Sequence, residues 1–253
     1  MSPPKLLSEP AFWLRFVLVF PVVMIQGLWL RRTAKRMPVM LSNGERGTTG
    51  VQNDDQTTAL DVMIVGESTA VGVGCHHANE TLAHQLAGNL AERYGCAVHW
   101  QVIGGNGMTV AQIVDLLGTQ VPVSPQPQKI AVVFLGVNDV VAMTSRRQWQ
   151  ERLLKLRQRL RERGVSRVFL TPVPPMWGFT LLPNPLRWLL GLRARMLDAT
   201  QALLVEGYED TVALVTDFPD DPSMLAEDGY HPGPRACEFW AKKLAKQIAE
   251  NAR

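Results

Sequence analysis

Apolar positions from residue 60 to residue 250 fall into two alternating patterns. Short, nearly continuous apolar runs occupy 61–66, 97–103, 129–135, 166–171 and 211–215. Runs of that length are typical of strands in a parallel sheet covered on both faces. Helix candidates lie between and after them, at 79–94, 109–117, 146–163, 190–206 and 234–250. Within 146–163, Trp149, Leu153, Leu156 and Leu160 recur at helical spacing among Arg, Lys and Glu residues. This is the pattern of an amphipathic helix covering a sheet. The alternation predicts one doubly wound α/β domain over 59–253, with five parallel strands.

A different pattern precedes it. Residues 11–30 are apolar on every side, with Arg15 as the only charge. About 20 such residues can cross a bilayer. Trp13 and Trp29 stand near the two ends, and Arg31, Arg32, Lys35 and Arg36 follow. By the positive-inside rule this N-terminal hydrophobic helix is a membrane anchor over 1–37, with the domain on the cytoplasmic side. Arg15, Pro21 and Gln26 weaken the span, so a helix lying in the interface is the competing reading. A buried soluble helix and a cleaved signal peptide fit less well. Residues 38–58, polar and rich in Gly, Thr, Asn and Asp, read as a flexible linker.

Composition narrows the classes. The chain has 253 residues and 46% hydrophobic content, enough for one full α/β core and an appendage. The net charge of +3 is too small, and its basic residues too scattered, for a nucleic-acid surface. Cys75, Cys96 and Cys237 show neither disulfide-framework nor metal-ligand spacing, which fits a reducing compartment. Nothing in the sequence sets an oligomeric state.

Sites in doubly wound sheets form beyond the carboxyl ends of the strands. The loops there read Gly66-Glu67-Ser68, Gly104-Gly105-Asn106-Gly107-Met108-Thr109, Gly136-Val137-Asn138-Asp139, Pro172-Val173-Pro174-Pro175 and, further on, Asp228-Gly229-Tyr230-His231. Each has an ordinary explanation. Ser68 suits a helix cap, His231 a turn, Asp228 a solvated loop, Asn138-Asp139 a turn pair, and Gly104-Gly105 a tight turn. All of them together at the ends of successive strands are harder to explain that way.

As a set they suit ester cleavage, which needs a nucleophile, a base, an orienting group and oxyanion donors. Ser68 supplies a hydroxyl and His231 an imidazole to take its proton. Asp228, three residues earlier, can accept from the other ring nitrogen. The backbone N–H of Ser68, the N–H of Gly107 and the Asn138 amide are candidate oxyanion donors. A Gly-x-Ser-x-Gly elbow of the α/β-hydrolase type does not fit, because Asp228 and His231 share one loop and Ser68 follows the first strand. Neither a dinucleotide fingerprint nor a Walker lysine occurs.

The Gly66-Glu67-Ser68, Gly107, Gly136-Val137-Asn138-Asp139 and Asp228-Gly229-Tyr230-His231 blocks, in this order over about 60–250, resemble those of the SGNH (GDSL-type) hydrolases. The resemblance implies a flavodoxin-like three-layer α/β/α sandwich. It also implies a catalytic Ser68, Asp228 and His231, an oxyanion hole of Ser68, Gly107 and Asn138, and no metal or organic cofactor. Family members include esterases, lipases, acylhydrolases, thioesterases and carbohydrate deacetylases. One residue departs from the pattern: Glu67 stands where the family usually has aspartate, so the loop must rearrange around an extra methylene.

Residues 172–192 bear on substrate. Met176, Trp177, Phe179, Leu181, Leu182 and Trp188 make either an acyl-binding wall or a proline-braced loop packed on the core. With the N-terminal segment, the first reading favours a lipid or other small acyl ester. The expectation is a membrane-associated serine esterase. Acyl transfer or sugar deacetylation by the same triad, and a non-catalytic interaction module, are the alternatives.

Overall fold

A computed structural model describes residues 5–50, 59–119, 129–216 and 221–251. Its five apolar runs form parallel strands: β2 (Leu60–Gly66), β3 (Val98–Gly104), β4 (Lys129–Phe134), β5 (Arg167–Leu170) and β6 (Thr211–Ala213). Their order is β3-β2-β4-β5-β6. The chain order therefore reverses between β2 and β4, and such a switch point opens a crevice.

Alternation along each central strand divides the core. Val62 and Ile64 of β2, with Ile130, Val132 and Phe134 of β4, face α2 (Leu82–Tyr94) and α7 (Pro234–Asn251). Met63, Val65, Ala131 and Val133 face the opposite layer. That layer holds α3 (Val110–Thr119), α5 (Arg146–Arg161) and α6 (Leu186–Val205). The three-layer α/β/α architecture follows from this period-two partition. Local caps agree with it. Ser145 and Gln148 form a capping box at α5, and Thr81 caps α2, which ends at a left-handed Gly95.

The sheet has a sixth strand that the sequence pattern does not show. β1 (Arg46–Thr49) pairs antiparallel with β3, inside the stretch expected as a linker. Leu41, also in that stretch, is almost fully buried, and Gly44 N–H bonds Val102 O at 2.8 Å. The polar character of β1 suits an edge strand. Gly47 leaves room for the Trp100 ring, whose Nε1 donates to Thr49 Oγ1 at 3.2 Å. Residues 51–58 of the expected linker lie outside the described residues.

α1 (Glu9–Thr33) is long and apolar enough to cross a membrane, as a signal sequence also can be. It is not detached from the domain. Phe12 and Val23 join the core on the α6 side, and Phe16, Val19 and Leu30 pack against it. Arg193 of α6, fully buried, donates through Nη1 to both Glu9 carboxylate oxygens at 2.9 and 3.0 Å. Gln26 donates to Asn184 O and accepts from Leu186 N–H at 3.0 Å.

The parallel strands close up at their carboxyl ends. Gly66 and Gly104 are register partners, and a Cβ at 104 would overlap the Gly66 carbonyl oxygen. Gly104→Ala should therefore force β2 and β3 apart. We expect a loss of about 3 kcal/mol or more, read as a lowered urea midpoint at unchanged m-value.

Candidate active site

β2 ends at Gly66, and the chain turns sharply. Glu67 N–H bonds Phe134 O at 3.0 Å, Ala70 N–H returns to Glu67 O, and Val73 N–H returns to Ser68 O. Ser68 is left half-buried on the outside of this turn. At Gly74, φ is +103° and a Cβ would overlap Pro232 O. Glycine there lets the Ser68 turn lie against the segment carrying His231.

The Glu67 side chain lies beneath the turn, almost fully buried. Oε1 accepts from Val137 N–H at 2.9 Å, and Oε2 accepts from Asn138 N–H at 3.0 Å and from the Asn138 amide. These residues begin α4 (Val137–Val141), one helical turn placed by Gly136 at φ +127°. The longer side chain thus still braces the loop. Burial, together with the nearby Asp139 charge, outweighs the three N–H donors and pushes the Glu67 carboxyl up to about 7.

Asp139 extends the brace. It is fully buried and accepts from Val110 N–H at 2.8 Å and from Thr144 Oγ1 at 3.0 Å. This ties the start of α3 to α4 and holds the Gly104–Thr109 loop beside Ser68. Asn138 Nδ2 also donates to Met108 O in that loop, at 3.2 Å. Both amide hydrogens of Asn138 are thus engaged. The backbone N–H groups of Ser68 and Gly107 donate to no backbone carbonyl among the described residues. Gly107, at φ +81°, is exposed, and a Cβ there would meet open space.

Asp228 organises its own turn. Oδ1 accepts from Tyr230 N–H and His231 N–H, both at 3.0 Å, while Oδ2 lies 2.5 Å from His231 Nδ1. Burial pushes this carboxyl up, but the hydrogen bonds from the His231 ring and the two backbone N–H groups outweigh it. The net result is a carboxyl held at about 2. Gly229 stands at φ +69°, where a Cβ would overlap Leu181. Behind the turn, Cys237 at the start of α7 meets Cys75 at 3.6 Å between sulfurs, both buried.

Ser68, Asn138 and His231 line one cavity of about 1290 Å³. Gly107 is not part of its wall, but the adjacent Asn106 is. Sequence reasoning placed Asn106 in its loop and Asp139 in the Gly136–Asp139 block but gave neither a role. An acid directly after a strand-end asparagine was the available signal for Asp139. The 172–192 stretch packs on the core and also lines this cavity. Met176, Leu182 and Leu186 are buried in the core and also edge the cavity, whereas Leu181 and Trp188 are exposed.

Residues 64–238 match the profile of the GDSL-like lipase/acylhydrolase family. A GDSL-like esterase of Mycobacterium tuberculosis is 31% identical over 207 residues, 79% of this chain; the chain spans 65% of that relative's length. Among solved structures, a lipase/acylhydrolase from Enterococcus faecalis superposes with TM-score 0.55 at 17% identity, covering 76% of this chain and 96% of the other. A member of the lipolytic G-D-S-L family from Veillonella parvula gives 0.57 at 13% identity, covering 75% and 98%. At these identities the structural likeness is one of fold.

Glu67 also makes stability depend on pH. Its folded carboxyl titrates near 7, while an unfolded one titrates near 4.5. Between these values the folded chain holds the extra proton, so this contribution is full below the lower value and lost as pH rises through the upper. That difference corresponds to about 3 kcal/mol. Urea titrations of Glu67→Gln at pH 5 and pH 8 should lack this part of the decline seen in the unsubstituted protein.

Proposed function

The chain belongs to the GDSL-like lipase/acylhydrolase family, and on that footing we propose that it is a serine ester hydrolase with Ser68 as nucleophile. The observation that carries this reading is that His231, in the wall of the cavity that Ser68 also lines, is paired through Nδ1 with Asp228 Oδ2 at 2.5 Å. In this scheme Ser68 Oγ attacks the ester carbonyl carbon while His231 Nε2 takes the hydroxyl proton. The proton then passes to the departing alkoxide, leaving Ser68 acylated. Water, deprotonated by His231, releases the acid and restores Ser68.

Asp228 fixes the ring so that Nε2 faces the cavity, and it stabilises the imidazolium. Its low carboxyl pKa keeps it charged through the working range. In this scheme the oxyanion is met by the N–H groups of Ser68 and Gly107, which have no backbone acceptor among the described residues, and by Asn138. The longer Asn138–Met108 bond, at 3.2 Å, is the one an oxyanion would replace. Glu67 keeps the rest of the asparagine in place.

The substrate class is an acyl ester of lipid-like or small type. Phe16, Phe20, Val23, Phe179, Leu182 and Leu190 line the cavity, a surface suited to hydrocarbon rather than to a sugar chain. Membrane association through α1 belongs to the same reading. The basic residues Arg31, Arg32 and Arg36 favour the cytoplasmic face, whose lipids carry the opposite charge.

Ser68→Ala should fold normally, lose labelling by a fluorophosphonate probe, and lower kcat on p-nitrophenyl butyrate by about 10⁴-fold or more. Equal hydrolysis by variant and parent would sink the assignment. Asp228→Asn should keep KM within a few-fold and lower kcat by about 10⁴-fold, as steady-state kinetics would show.

A further inference from the structure

α1 is arranged opposite to an ordinary surface helix. Its inner stripe, Phe12, Phe16, Val19, Val23, Gln26 and Leu30, follows coiled-coil spacing. The polar side chains of Glu9 and Gln26 turn inward to the domain. The outward face is almost wholly apolar: Leu14, Val17, Leu18, Val22, Ile25 and Trp29 are exposed, Leu18 by 74%. Leu181 and Trp188 are also exposed, on the apolar segment that edges the same cavity. Such a run of apolar side chains is costly in water and natural against lipid.

The inner contacts decide how lipid can meet it. From Phe12 to Leu30 the helix is held on the domain over about 27 Å of its length. A helix crossing a bilayer needs lipid or another membrane-embedded surface around that whole length. The polar residues of the domain leave only the outer face of α1 available. Arg31 and Arg32 in its last turn and Arg36 just past it are exposed, and they supply positive charge for anionic headgroups at this end of the helix.

The inner face matters equally. Phe16, Phe20, Val23 and Leu30 form one wall of the cavity, and Met176, Phe179, Leu182 and Leu190 form another. Ser68 and His231 line the same space. Resting on the assignment of Ser68 as nucleophile, we propose that α1 is an in-plane membrane helix whose inner face is a wall of the acyl groove. The substrate is then a long-chain acyl ester taken directly from an anionic leaflet. Its chain slides between α1 and the Met176–Gly178 turn, so the hydrocarbon reaches Ser68 without crossing water. The chemistry of the ester is that of the triad and is unchanged. Both ends of α1 lie on one side of the membrane.

Gly27 supplies a probe of the groove. It lines the cavity, and a Cβ built on it meets nothing within 4 Å. Gly27→Phe would project into the acyl path.

The test uses the full chain and vesicles of phosphatidylcholine with and without phosphatidylglycerol. Leu18→Asp with Ile25→Asp should reduce flotation with anionic vesicles by about tenfold or more. It should lower hydrolysis of a vesicle-borne long-chain ester in proportion, while soluble butyrate-ester turnover stays within twofold. Gly27→Phe should float normally and shift the preferred acyl length from long to short. Tags at both chain ends, in sealed inverted vesicles, should be removed together or spared together by external protease. Removal of one alone means a spanning helix and overturns the proposal. So does undiminished flotation of the double aspartate variant, or a vesicle-independent dimer that those aspartates break while flotation persists. An inactive parent that still floats and passes the tag assay refutes the Ser68 assignment instead, leaving the membrane geometry supported.

Discussion

One buried carboxylate holds the candidate site together. Glu67 sits under the turn after β2 and takes N–H groups from the turn after β4. Removing a carboxylate from water is expensive unless donors replace the water. Here the donors come from another strand's loop, so satisfying Glu67 and aligning the two loops are the same event. Asp139 repeats the device one loop further, reaching Val110 beyond β3. Two acids therefore connect three strand ends. The cost shows in both side chains, whose carboxyls burial pushes upward. The close approach of β2, β3 and β4 at Gly66 and Gly104 makes such short side chains long enough to span the gaps.

The histidine half of the site is built separately. Asp228 satisfies two N–H groups of its own turn and the His231 ring, so that turn is largely self-supporting. Its position is set from outside. Gly74 brings the Ser68 turn against Pro232, Gly229 makes room for Leu181, and Cys75 packs on Cys237 of α7. The site is thus a junction between a rigid sheet edge and one polar turn, joined through glycine and sulfur contacts.

The third contribution comes from far away in sequence. α1 lies over the same crevice and is fixed there by the Glu9–Arg193 pair and by Gln26. Arg193 has no exposed surface and also stacks 4.8 Å from the Phe12 ring centre. An arginine buried this way costs much unless its partner stays, which makes the helix position specific rather than incidental.

The five parallel strands and the layers that cover them were legible in the amino-acid pattern, and so were the candidate residues at the strand ends. Short, nearly continuous apolar runs separated by helical ones admit few other arrangements, and the blocks around Ser68, Asn138 and His231 are local enough to read directly. It did not disclose β1, because a polar four-residue edge strand looks like a linker until Trp100 and Val102 are beside it. It left Glu67 as a departure from a pattern, because what the extra methylene does depends on where Val137 and Asn138 lie. Nor could it show that Asn138 is already engaged by Glu67 and Met108. Most of all, hydropathy left residues 11–30 as either a span or an interfacial helix, since it counts apolar side chains without direction. Which side of that helix faces the domain became visible only from the packing of Phe12, Val23 and Leu30. Hydrophobic burial is non-directional, whereas the bonds of Glu9 and Gln26 have partners at Arg193, Asn184 and Leu186, more than 150 residues away along the chain.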